Sequence, residues 1–87
     1  MRKALGFVET RSLVGALEAA DTMSKTANVK VHDFKFVGSG VVSVIVSGDV
    51  AAVKAAVENG RESAEKISEI ISANVIPRPH EEVDKIF

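Results

Sequence analysis

The chain has 87 residues, 11 basic and 12 acidic residues for a formal charge of −1, no cysteine, and 46% apolar content. That length suits one domain over residues 1–87, and the absent cysteines exclude disulfides, thiolate catalysis and Cys-based metal sites. The even charge balance argues against a dedicated nucleic-acid binder, no apolar run reaches the roughly 20 residues of a membrane helix, and the N-terminus carries no secretory signal, so a cytoplasmic location is expected.

Lys3 to Glu9 places Leu5 and Phe7 on one face and Ala4, Gly6 and Val8 on the other. Both faces are apolar, which predicts a strand covered on two sides. Thr10 or Ser12 can then cap a helix. Leu13, Ala16, Leu17, Ala20, Ser24 and Ala27 recur at three- and four-residue spacing and predict its inward stripe. Asp21 and Lys25 stand four apart and can pair. Asn28 is expected to end this helix.

Val29 and Val31 alternate with Lys30 and His32 as in a half-buried strand. The phase slips at Asp33, and Phe34 and Phe36 continue on the opposite parity, so a bend or bulge is predicted near it. Gly38-Ser39-Gly40 forms a tight loop, and Val41 to Val46 reads as a central strand. Gly48 marks a turn and Asp49 is placed to cap a second helix. Val50, Val53, Val57, Ala64 and Ile67 form that helix's stripe, with Gly60 at a close helix contact or an early end. Ile70 to Ile76 reads as a fourth strand. Pro77 and Pro79 must leave the sheet, and His80 to Phe87 can form a short terminal helix.

This order predicts an α+β, ferredoxin-like βαββαβ fold: a four-stranded antiparallel sheet, two helices on one face, and a short C-terminal helix. The other sheet face keeps apolar residues, which favours self-association.

Several stretches carry a family resemblance: Ala4-Leu-Gly-Phe-Val-Glu-Thr10, Glu18-Ala-Ala-Asp21, Lys25-Thr-Ala-Asn-Val29, Gly38-Ser-Gly40, Val44-Ile-Val-Ser-Gly-Asp-Val50, Val53-Lys-Ala-Ala56 and Val75-Ile-Pro-Arg-Pro-His80. In this order they run through nearly the whole chain. The chain resembles the single-domain, hexamer-forming shell proteins of bacterial microcompartments, and especially the major shell proteins of propanediol- and ethanolamine-utilising metabolosomes. The resemblance implies a cyclic homo-hexamer tiling with neighbouring shell hexamers and other shell proteins into the facets of a cytoplasmic compartment. It also implies a central pore for small polar metabolites, and encapsulated enzymes as partners through their targeting peptides.

Gly38, Ser39 and Gly40 match the family's pore loop, with Phe36 and Val37 flanking it. Gly-Ser-Gly alone favours an ordinary hairpin turn, and it is the flanking matches that favour the pore. Phe36 departs from the family, where a charged or polar residue is common at this place, so pore charge does not carry over. It is expected to pack at a subunit interface, with an apolar collar at the pore mouth as the alternative, and Lys35 is expected on the opposite face. Lys25, Asn28, Arg78 and His80 match the edge where hexamers meet. There the long Lys25 stem can lie against its symmetry mate and the Arg78 fork can hold carbonyls across the seam.

His32 and His80 have no companion ligands at useful spacing, so no metal site is expected. No carboxylates form a recognisable acid–base pair, and neither a cofactor nor an enzymatic function is expected. The other reading of the same fold is an oligomeric regulatory module that binds a small effector between subunits. A nucleic-acid reading lacks an aromatic pair on the central strands in a basic setting.

Overall fold

The computed structural model describes residues 3–26 and 28–77. Its elements are β1 (Ala4–Thr10), α1 (Leu13–Ser24), β2 (Val29–Gly38), β3 (Val41–Gly48), α2 (Val50–Glu65) and β4 (Ile70–Ile76). The strands form one antiparallel sheet in the order β2-β3-β1-β4, the α+β, ferredoxin-like arrangement expected from the element order. The terminal helix expected over residues 80–87, and with it Arg78 and His80, lies outside the described residues.

Strict alternation decides which side of β1 is covered. Ala4, Gly6, Val8 and Thr10 are buried under the helices, whereas Leu5, Phe7 and Glu9 are half-buried on the opposite face. The sequence predicted cover on both sides of this strand, and the chain itself covers one. The two helices pack side by side on the first face and no described element crosses the second. That open face holds a depression of about 170 Å³ lined by Leu5, Phe7, Ile45 and Ile76 with Glu9 and Ser43. On the covered face Val8, Val44 and Val46 of the central strands β1 and β3 have no solvent exposure.

The predicted slip in β2 is a real bulge. Val31 faces Val46 and Asp33 faces Ile45 on adjacent β3 residues, so His32 is the extra residue. Its insertion returns Phe34 and Phe36 to the helix side, which Val29 and Val31 also face. His32 Nε2 hydrogen-bonds to Ser47 Oγ across the pair.

Ser12 is the N-cap of α1, its hydroxyl accepting from the Gly15 amide at 3.1 Å, while the Thr10 hydroxyl donates to the Ser12 carbonyl at 2.7 Å. The inward face of α1 differs from the predicted stripe. Gly15, Ala16, Ala19 and Met23 are the buried residues, whereas Leu13 and Leu17 are 46% and 50% exposed. The cause is steric. Helix α2 approaches so closely at Gly60 that a Cβ there would stand 2.7 Å from Met23 Cγ and 3.3 Å from the Ala19 carbonyl oxygen. Only small residues and one flexible methionine fit that contact, so the leucines turn outward. The helix does not stop at Gly60, and close contact is the reason for this glycine.

Helix α1 ends earlier than Asn28. The Lys25 and Thr26 amides donate to the Thr22 and Met23 carbonyls at 3.2 and 3.1 Å, an i→i−3 tightening that closes the last turn. Asn28 then sits in the left-handed region at φ 65°. Asp49 occupies the N-cap position of α2 in an extended conformation, but its side chain makes no capping bond. Its backbone carbonyl accepts from the Val53 amide at 2.8 Å instead. Val50 and Ile67, both placed on the inward stripe by sequence, are partly exposed, and Ile67 lies past the end of α2.

Candidate functional site: the hairpin turn and the two ends of the first helix

Gly38 and Val41 form the last pair of the β2–β3 ladder, leaving Ser39 and Gly40 as a two-residue turn. Both central residues are left-handed, at φ 53° and 79°, and Gly38 stands at φ 115°. A right-twisting hairpin with a two-residue connection favours such turns. Glycine meets the requirement at 38 and 40, while Ser39 carries a side chain into a region L-residues rarely occupy. A Cβ on Gly40 would stand 3.4 Å from the Arg11 carbonyl oxygen, whereas one on Gly38 would meet nothing within 4 Å. The turn therefore leans on Arg11 with one flank and faces outward with the other.

Arg11 in turn is stitched to the α2–β4 connection. Its amide donates to the Glu69 carbonyl at 3.0 Å, and its Nε donates to Glu69 Oε1 at 3.1 Å. Beside it the Ser12 and Ser68 hydroxyls are hydrogen-bonded at 3.0 Å. Sequence reasoning did not find the Arg11–Glu69 pair, because 58 positions separate its members and neither stands in a motif.

Large apolar side chains gather around this end. Phe36 is 72% exposed, Val37 61% and Val14 63%, and Leu13, Leu17 and Ile67 also face outward. Phe36 pairs with Val42 on the helix side of β2, and Lys35 pairs with Ser43 on the other side, as strand alternation predicted. Lys35 Nζ lies 3.7 Å from Asp33 Oδ2.

The remaining candidates among the described residues, Lys25 and Asn28, lie at the opposite end of α1. Lys25 follows its last turn and pairs with Asp21, Nζ to Oδ2 at 3.1 Å, with both side chains largely exposed. Asn28 follows at the start of β2. Helix α1 has 12 residues, so about 18 Å of axial rise separates the two groups. Strand β4 also finishes at the Asn28 end, its last residue Ile76 opposite Leu5. The structure thus divides the sequence-derived residues into a turn group (Phe36 to Gly40) and an edge group (Lys25 and Asn28).

Among the described residues no group of three or more His, Cys, Asp or Glu side chains is arranged to hold a metal. The half-buried carboxylates are tied to hydroxyls: Glu9 accepts from Ser72 and Glu18 from Ser63 of α2. Those bonds cross-brace the sheet and the helix pair. Among the same residues no helix is long and apolar enough to cross a membrane.

Residues 4–79 match the BMC domain family. The chain is 52% identical over 86 residues to the bacterial microcompartment shell protein PduA of Citrobacter freundii, covering 99% of this chain and 92% of that protein. It is 47% identical over 85 residues to the shell protein EutM of Escherichia coli K12, covering 98% and 88% respectively. A crystal structure of a microcompartment protein from Desulfitobacterium hafniense DCB superposes with a TM-score of 0.89 at 33% identity, covering 98% of this chain. The present chain spans about half, 48%, of that longer chain. A family match over almost the whole fold, and near-half identity to two shell proteins, leave one assignment: the chain belongs to the BMC domain family of bacterial microcompartment shell proteins.

Proposed function

We propose that the protein is a non-enzymatic structural tile: a single shell domain that closes into a cyclic hexamer and tiles with neighbouring hexamers and other shell proteins into compartment facets. The observation that carries this reading is the number of large apolar side chains left exposed, Leu13, Val14, Leu17, Phe36, Val37 and Ile67 among them, in a chain whose relatives are shell proteins. A lone chain rarely leaves a large apolar surface open, and association with further copies would cover it. The Gly38-Ser39-Gly40 turn projects from that end, so six copies around an axis would present six Ser39 hydroxyls and adjacent backbone amides to a central opening. Such a ring exchanges hydrogen bonds with small polar metabolites and excludes bulky solutes by size.

In this reading Phe36 and Val37 pack between subunits at the mouth of the opening. Lys25 and Asn28, at the far end of α1, lie at the rim where hexamers meet, a role that the family resemblance also gives Arg78 and His80. Encapsulated enzymes would dock on the assembled shell through targeting peptides, within the cytoplasm. Electron microscopy of the purified chain tests the assembly: six-fold discs and, at high concentration, sheets or tubes are expected, and a field of small monomeric particles would end this reading. Replacing Ser39 by Leu is expected to lower passage of small solutes while the discs persist. Unaltered passage would remove Ser39 from the opening.

A further inference from the structure

We infer that the Arg11–Glu69 pair sets the charge preference of the opening and holds it near neutrality, so that neither small cations nor small anions are favoured. The inference rests on the proposed ring of turns and deepens it.

The hairpin itself offers little charge to such an opening. Position 36 is Phe, Ser39 is neutral, and the charged residues of the β2 half of the hairpin near the turn, Asp33 and Lys35, sum to zero at 3.7 Å separation on the helix-free face. Outside the hairpin the turn approaches Arg11, whose carbonyl oxygen would stand 3.4 Å from a Cβ on Gly40. Its guanidinium reaches Glu69 Oε1 at 3.1 Å, with the two side chains 52% and 64% exposed. Arg11 and Glu69 are therefore ionisable groups anchored to the root of the turn, solvent-facing, and opposite in sign. Sixfold repetition would place six positive and six negative charges around the axis, cancelling at a distance.

Removal of one member would leave a ring of a single sign. Six like charges, taken about 10 Å from an axis and screened by 0.1 M salt, enrich counter-ions roughly fivefold and deplete co-ions by a similar factor, a ratio of roughly twenty that fades as the Debye length falls to about 3 Å at 1 M. The backbone bond from the Arg11 amide to the Glu69 carbonyl does not depend on either side chain, so the two connections stay joined in the variants.

The test is the reversal potential of assembled, full-length protein in a planar lipid bilayer under a potassium chloride gradient. Wild type is expected to show a potassium-to-chloride permeability ratio near one. Glu69→Gln should favour chloride over potassium roughly twentyfold at 0.1 M and lose most of that preference at 1 M. Arg11→Gln should favour potassium by a similar factor, and the exchanged double variant Arg11→Glu/Glu69→Arg should return to a ratio near one. Ratios unmoved in both single variants, shifts of the same sign in both, or a strongly selective wild type would each overturn the inference. Ser39→Leu separates the two levels. Undiminished conductance there sinks the ring of turns itself, whereas blocked conductance with unmoved ratios sinks only the role of Arg11 and Glu69.

Discussion

The helix–helix contact at Gly60 and the hairpin end at Phe36 treat apolar residues in opposite ways. At the first, Ala16, Ala19, Met23, Val53 and Ala56 are sealed completely within one chain, and glycine permits the approach. At the second, Phe36, Val37, Leu13 and Val14 are as apolar or more so, yet remain open. The single chain therefore completes one interface and leaves another half-made. Neither hydrophobicity nor size alone separates the two regions, since valines stand in both and Met23 is sealed. Cover does: two elements of the same chain nearly touch at Gly60, whereas the chain leaves Phe36 and Val37 open.

Substitutions at the two regions should separate accordingly. Met23→Ala would leave a cavity inside the sealed contact and cost about 3 kcal/mol, lowering the thermal midpoint by roughly 15 °C. Gly60→Val would overpack the same contact, costing about 2 kcal/mol. Both are read by thermal unfolding at fixed protein concentration, since association shifts the midpoint. A midpoint unchanged by Met23→Ala would contradict the contact. The double variant Phe36→Ser/Val14→Ser should act the other way round. Its secondary structure by circular dichroism is expected to persist while its sedimentation shifts toward the single chain. Loss of folding without that shift would place these residues in the core.

Smaller effects sharpen the picture of the two ends of α1. Ser39→Val forces a β-branched residue into the left-handed region and is expected to cost about 1–2 kcal/mol, whereas Ser39→Gly should be neutral or stabilising; equal midpoints for the two would contradict the turn geometry. Lys25→Ala removes an exposed i,i+4 pair worth about 0.3–0.5 kcal/mol, so its stability effect should be close to undetectable. Its consequence is expected in tiling, as discs that no longer merge into sheets under the microscope. Unchanged sheets would take Lys25 away from the rim.

Much of this was legible in the sequence. The two apolar faces of β1, the apolar run of β3 and the valine-to-phenylalanine phase slip in β2 predicted the strands and an irregularity near Asp33, one residue from the extra residue His32, because a period of two leaves few alternatives. The face of α1 was not legible. Leu13-Ala16-Leu17-Ala20 and Ala16-Ala19-Met23 repeat with the same helical period, and periodicity cannot choose between stripes when the tighter contact prefers the smaller side chains. Asp49 was placed correctly as an N-cap residue, but its side chain leaves the amides alone. The Gly-Ser-Gly turn was visible because positive φ demands its residue types. The Arg11–Glu69 pair beneath it was invisible because tertiary structure alone brings those residues together.

The half-made interface points to one measurement above the others, the mass of the particle in solution by analytical ultracentrifugation across a range of concentrations. A closed ring of six chains of 9.2 kDa each should sediment as a species of about 55 kDa that persists on dilution. A 9.2 kDa particle at every concentration would contradict the account.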